Sequence, residues 1–328
     1  MKLLKLVPAD TNIKFLKLRL PFFIVSMLLI VASWGLVFTQ GLNYGVDFAG
    51  GQEVRLTFEQ TETAPVEDLR SLVAGLDYGA PTVQEFGAPN QVSIRVPLPE
   101  EVEDTPGAAT EIGNQVIAAI AAEYPDARTD GNDTVSGKVA GEFRQSAGLA
   151  LMAAMVMVAL YIWIRFEWQF GVGALFALFH DVSLTLGIFA LFQLEFSLQI
   201  IAAILSIIGY SLNDTIVVYD RIRENLKKFR KMPLPELLDL SINETLARTV
   251  MTSLTLLVAL LPLLFFGPES LFGLVIAITV GLFIGTYSSV YLASPILIWL
   301  GVTSDSFVPQ ESAIDRQEKA ARGQAGSV

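Results

Sequence analysis

Asp214 stands in the run Gly209 to Asn225, GYSLNDTIVVYDRIREN, where an apolar stretch of membrane-span character carries Asn213 and Asp214 before ending in arginines. An ionised aspartate at the centre of a bilayer helix costs roughly 2.5–3.5 kcal/mol on insertion scales, so such residues face other helices or water and mark ion pathways. Asp214 is therefore the leading candidate for proton transfer, with Asn213 beside it; the competing reading is a hydrated carboxylate that caps its span. The only histidine, His180, lies next to Asp181 near the middle of another apolar run. A histidine titrates near neutral pH and could relay protons, or it could be a core histidine satisfied by Asp181. Adjacent helical positions differ by about 100°, so the two side chains need not touch. Arg248 opens a further run, ARTVMTSLTLL, and shares a helix face with Thr252 and Thr255. If the spans carrying Asp214 and Arg248 are antiparallel, the two residues reach similar depth and an ion pair between them is geometrically plausible. Protonation of Asp214 would break it. The alternative makes Arg248 a snorkelling anchor at the cytoplasmic surface.

The elements that must hold these residues follow from composition. A chain of 328 residues that is 52% hydrophobic and 17% charged is a polytopic α-helical membrane protein. Six runs approach the roughly 20 apolar residues that a bilayer requires: Leu20 to Phe38, Ser146 to Ile164, Phe170 to Phe192, Phe196 to Val218, Val250 to Phe266 and Leu271 to Leu300. The first is too long for a signal peptide and has no A-x-A site after it, so it reads as a retained span. Lys2, Lys5, Lys14, Lys17 and Arg19 place residues 1–19 in the cytoplasm, and the basic loop after the fourth span lies there too. Six spans from an inside start put the tail, residues 301–328, on the same side. The expected organisation is a first span at 20–39, an exported domain at 40–145 and a five-helix bundle at 146–300.

The exported segment carries 18 acidic against 6 basic residues, which repels nucleic acid and anionic lipid and favours solubility. Within it, QEVRLTFE at 52–59 alternates like a strand, and 64–76 has helical spacing after a proline start. PTVQEF and QVSIRV read as a hairpin around Gly87 to Asn90, followed by a helix at Ala108 to Glu123 and a last strand near Thr134 to Gly141. The order β-α-β-β-α-β predicts an α+β, ferredoxin-like domain between the first two spans. The acidic, proline-flanked linker Pro97 to Gly107 is expected to be a loop.

The sixth span repeats small residues every four positions, Gly273, Ala277, Gly281, Gly285, Ser289 and Ala293, which predicts a close helix-packing surface within the chain or against a partner. After the first span stands GVDFAGG, with Gly45, Asp47, Phe48, Gly50 and Gly51, whose glycines permit turns and close backbone approach. It lacks the Lys and Ser/Thr of a phosphate loop. Zero cysteines exclude disulfides and thiol chemistry, no metal spacing occurs, and nothing calls for a cofactor or for enzymatic catalysis.

GVDFAGG after the first span, FHD in the third, GYSLNDTIVVYDRIREN ending the fourth and INETLARTVMTS opening the fifth resemble, in that order, the SecF family of protein-export membrane subunits. The resemblance covers most of the chain. It implies half of an assembly related to the RND transporters, completed by SecD and associated with the SecYEG translocon in a bacterial inner membrane, with YajC and YidC as further candidate partners. It also implies use of the proton-motive force to assist a late stage of preprotein export. The family's membrane carboxylate and arginine fall on Asp214 and Arg248; Asp47 comes with GVDFAGG, and His180 and Asp181 with FHD. A passive scaffold for SecD and the translocon, or half of an RND-like pump for small molecules, are the alternatives.

Overall fold

A computed structural model of the chain describes Pro8 and residues 11–98 and 108–303. Most of the linker 97–107, Lys2 and Lys5, and the tail from 304 onward lie outside the described residues. A short 3₁₀ turn at Phe15–Leu18 leads into α1, Arg19–Thr39. The chain then forms β1, Asn43–Tyr44; α2, Val46–Ala49; β2, Gly51–Phe58; α3, Val66–Ala74; β3, Thr82–Phe86; β4, Ala88–Val96; α4, Ala108–Glu123; and β5, Ala127–Val135. Five long segments follow: α5, Gly137–Arg165; α6, Trp168–Phe192; α7, Leu198–Lys228, which β6, Glu195–Phe196, precedes; α8, Leu234–Phe266; and α9, Phe272–Ser288, continued through a π-helical turn at Ser289–Ala293 into α10, Ser294–Trp299.

These make six transmembrane helices, the last built from α9, the π turn and α10. The apolar windows of α6, α7 and the α9–α10 span are 50%, 56% and 44% buried, whereas those of α1, α5 and α8 are 17%, 11% and 11% buried. The first three therefore form the centre, and the others present apolar side chains such as Trp163, Ile164 and Phe266 outward, as lipid contact requires. The π turn ends just ahead of Ser294 and Pro295, and the proline ring cannot donate to the helical ladder and clashes with the carbonyl four residues back.

The small-residue stripe is the α7–α9 seam. A Cβ on Gly281 would lie 2.5 Å from Ile207 Cδ1, and one on Gly285 would lie 3.0 Å from Ser211 Cβ, so glycine lets the two backbones approach. Ala277, Ser289 and Ala293 continue the buried side, and Gly273 faces Ile200. Gly281→Ala is expected to cost roughly 1–3 kcal/mol by overpacking against buried Ile207. Gly148→Ala, with nothing within 4 Å, is expected to leave stability unchanged or raise it slightly. Thermal unfolding of the detergent-solubilised chain checks both.

Three helices exceed the apolar runs that announce them. α7 runs ten residues past Val218 and α8 begins at Leu234 rather than Val250, because this hairpin has its own packed seam. Ile222, Leu226, Leu237, Leu238 and Ile242 are buried in it, and Arg221 Nε donates to Glu244 Oε2 at 2.7 Å. α5 starts at Gly137, capped by Ser136 Oγ, which accepts from Val139 N at 3.3 Å.

The α+β domain has strand order β3-β4-β2-β5, all antiparallel, with α3 and α4 covering one face: the ferredoxin-like arrangement. Val54, Leu56, Leu69, Val92, Ile94 and Val116 meet in its core. The last strand lies at Ala127–Val135, earlier than its expected position near Thr134 to Gly141. Its residues are polar on both faces, so alternation does not mark it; pairing with β2 along the sheet edge does. The expected turn at 87–90 shortens to Gly87, which adopts φ +79°. A further pairing was not expected: β1 and β6 form a two-stranded parallel ribbon, Asn43 opposite Glu195 and Tyr44 opposite Phe196, joining the domain's entry segment to the α6–α7 loop.

Candidate functional site

The α7 segment 210–214 distributes its polar groups around the helix. Tyr210 and Asp214, one turn apart, face α8; Ser211 faces α6 and α9; Asn213 is exposed. Asp214 is buried, and its one hydrogen-bond partner among the described residues is Thr252, whose Oγ1 donates to Oδ1 across a long 3.5 Å. Its Oδ2 is buried without a hydrogen-bond partner among the described residues. One turn away, the Tyr210 hydroxyl lies 2.7 Å from Ser253 Oγ, which is 3.0 Å from Thr286 Oγ1, so a chain of hydroxyls crosses from α7 through α8 to α9 beside the carboxylate.

Asp181 has the opposite environment. It is fully buried, and its Oδ1 lies 2.9 Å from His180 Nδ1. Its Oδ2 accepts from Ser211 Oγ at 2.5 Å and Ser288 Oγ at 2.9 Å. One carboxylate thus ties α6, α7 and α9 together, at the level where Gly285 lets Ser211 approach α9. The neighbouring side chains do touch, although adjacency on a helix does not require it. His180 Nε2 is buried without a hydrogen-bond partner among the described residues, and its ring lies 6.0 Å from that of Tyr287, whose hydroxyl is 2.8 Å from Ser26 Oγ on α1.

Arg248 and Asp214 do not form an ion pair. Arg248 is exposed and lines a cleft of about 340 Å³ with Asp220, Glu224 and Glu244. The physical reason is register: the α8 residue level with Asp214 is Thr252, which places Arg248 one turn nearer the α7–α8 connection. Thr255 is exposed, and its hydroxyl donates to Met251 O at 2.7 Å, so it does not join the site. Ser211, Ser288, Tyr210, Ser253 and Thr286 do participate, although hydroxyls at these positions do not stand out in the sequence. Ser288 adjoins the small-residue stripe and Ser211 precedes Asp214 by three positions, which was the available signal.

GVDFAGG joins the domain to the bundle. Asp47 Oδ2 accepts from Leu198 N at 2.9 Å and so satisfies an otherwise orphan amide at the start of α7. Phe48 is buried against Phe196, with ring centroids 5.7 Å apart. Gly50 and Gly51 have φ of +74° and +117°, and a Cβ on Gly51 would sit 2.7 Å from Val96 O, so both the turn and the close approach require glycine. Among the described residues no cluster of three or more His, Asp or Glu is placed to hold a metal ion.

This arrangement belongs to a known group of proteins. The family described as "Protein export membrane protein SecD/SecF, C-terminal" matches residues 115–303, and the "SecD/SecF GG Motif" matches residues 35–62. The "Protein translocase subunit SecF" of Cereibacter sphaeroides is 45% identical over 306 residues, covering 91% of this chain and 93% of that protein. The corresponding Pseudomonas aeruginosa subunit is 40% identical over 305 residues, covering 92% and 95%. Among solved structures, SecDF from Thermus thermophilus, described as translocon-associated, superposes with TM-score 0.80 at 36% identity, covering 89% of this chain and 39% of the SecDF chain. A SecDF structure in a super-membrane-facing form gives TM-score 0.65 at 33% identity, covering 97% and 40%. By its motifs, its fold and these likenesses, the chain is a multi-pass membrane protein of the SecF family of protein translocase subunits.

Proposed function

We propose that this subunit uses the proton-motive force to assist preprotein export, with Asp214 as the group that changes protonation. One observation carries the reading: Asp214 is a buried mid-helix carboxylate that, among the described residues, has one oxygen without a hydrogen-bond partner and the other held by one 3.5 Å hydrogen bond. A carboxylate kept for packing would be saturated with donors, as Asp181 is. Protons pass from the extracytoplasmic side to the cytoplasm along the α7 face, and Arg248 responds electrostatically from the cleft at the cytoplasmic end. A proton crossing 100 mV releases about 2.3 kcal/mol, enough to bias a two-state equilibrium about fiftyfold. Helix shifts within the bundle would then move the exported domain.

The partner that completes the pathway is SecD. Ala202, Ser206, Gly209 and Asn213 form an exposed small and polar stripe on α7, at i, i+4, i+7 and i+11, which suits a protein helix better than lipid. The match of this chain to only 39% of the SecDF chain supports the same division of labour. The assembly would work beside SecYEG in a bacterial inner membrane, with both termini and residues 1–19 and 301–328 in the cytoplasm, residues 40–145 outside, and YajC and YidC as accessory neighbours. A scaffold role is the second reading, and the Asp181 hub favours it, since that buried carboxylate serves packing.

The test is proton flux and gradient-dependent export in vesicles containing the subunit with its SecD partner, at matched amounts of complex. The motor reading expects Asp214→Asn and Arg248→Met to assemble and lose both activities. Unchanged conduction and export in Asp214→Asn, or failure of assembly with no conduction to lose, overturns it in favour of the scaffold.

A further inference from the structure

The junction between domain and bundle encloses a cavity of about 440 Å³ in which carboxylates outnumber cations. Glu195 enters it from β6 in the α6–α7 loop, Asp47 from α2, Glu53 and Arg55 from β2, Glu85 from β3 and Asp133 from β5, while Arg95 on β4 borders the group. Neither cation is paired with Glu195: Arg55 serves Glu53 and, at 3.6 Å, Asp133. Arg55 Nη2 is bonded to Glu53 Oε2 at 2.8 Å, and Arg95 Nη2 donates to Asn43 Oδ1 at 2.6 Å and its Nη1 to Tyr44 O. Glu53 also accepts from Ser93 Oγ at 2.6 Å and Asp47 from Leu198 N, whereas Glu195 has no ion-pair partner within 4.0 Å among the described residues. Glu195 also occupies the space that a side chain at Gly45 would need, so closure of the β1–β6 ribbon sets it against the motif.

The geometry points to Glu195 as a protonation-controlled latch: with its carboxyl neutral, the β1–β6 ribbon and the domain dock on the bundle, and with it ionised, repulsion from Glu53 and Asp47 loosens the junction. Burial, then the Glu53 charge, pushes the Glu195 carboxyl up to about 7, with Arg95 and Arg55 opposing and Asp47 adding to the rise. A hydrated glutamate releases its proton near 4.5. The docked state therefore binds more protons between these values, so docking strengthens as pH falls from about 7 toward 4.5 and changes no further below that. This latch is independent of proton passage through Asp214 and would make domain mobility respond to extracytoplasmic pH.

Amide hydrogen exchange on the full chain in nanodiscs tests it, because exchange normalised to intrinsic rates reads even rare opening. Two amides report the junction: Gly45 N, bonded to Phe196 O at 3.0 Å, and Leu198 N, bonded to Asp47. Their protection is expected to rise roughly twentyfold between pH 7.5 and 5.5 in the natural chain. In Glu195→Gln it should be high and flat. Protection that is flat with pH in the natural chain, or a slope that survives in Glu195→Gln, overturns the latch. So does a parallel rise at the domain-core amides of Val54 and Ile94, since pH would then act on domain stability.

Discussion

Asp214→Asn is expected to reduce gradient-dependent proton flux roughly 100-fold or more while changing the stability of the chain by no more than about 1 kcal/mol. The two effects separate because of what Asp214 touches. Its one hydrogen bond among the described residues, from Thr252 at 3.5 Å, is near the geometric limit, so little hydrogen-bond energy rests on the carboxylate. Asparagine keeps the volume and an oxygen for Thr252, and presents an amide where Oδ2 now lacks a partner. What it removes is the ability to take and release a proton. Flux in vesicles and thermal unfolding in detergent measure the two quantities on one preparation. A variant that loses stability by several kcal/mol would show instead that the carboxylate holds the bundle together.

The titratable side chains inside the bundle were readable in the sequence, whereas most of their partners were not. Asp214, His180 and Asp181 stand out because a titratable group inside an apolar run is costly wherever it points. Period alone gives a face but no neighbour: the stripe from Gly273 to Gly285 marked a packing surface, and only the fold shows Ile207 and Ser211 on the other side. The expected Asp214–Arg248 pair failed for a related reason. The register of two antiparallel helices depends on the length and packing of the hairpin between them, and this hairpin is helical to Lys228 and again from Leu234. The ferredoxin-like domain was legible from its alternating strands except at β5, whose residues are polar on both faces. Glu195 carried no signal at all. In the sequence it belongs to a short connection, and its burial arises only when β1 pairs with β6 and the domain closes over it.

Asp181→Ala should show the reverse of the Asp214 pattern, with a loss of roughly 2–4 kcal/mol in stability. Three groups on three helices lose their acceptor at once: His180 Nδ1, Ser211 Oγ and Ser288 Oγ. Hydrogen bonds between membrane helices average about 0.6 kcal/mol in double-mutant cycles, because the separated helices find other partners, so the bonds alone account for about half of the loss. The remainder is a cavity at a position with 0% exposure, where Gly285 already brings α7 and α9 too close for the walls to move inward. Ser211→Ala and Ser288→Ala should each cost about 0.6 kcal/mol, since each removes one donor and leaves Asp181 the other two. Asp181→Asn should cost about 1 kcal/mol, as it retains an acceptor for the serines. Thermal unfolding of this series separates the two membrane carboxylates by physical criteria. If Asp181→Ala is no less stable than Asp214→Asn, the hub does not anchor the α6–α7–α9 centre, and the unpartnered His180 Nε2 becomes grounds for assigning Asp181 to proton movement as well.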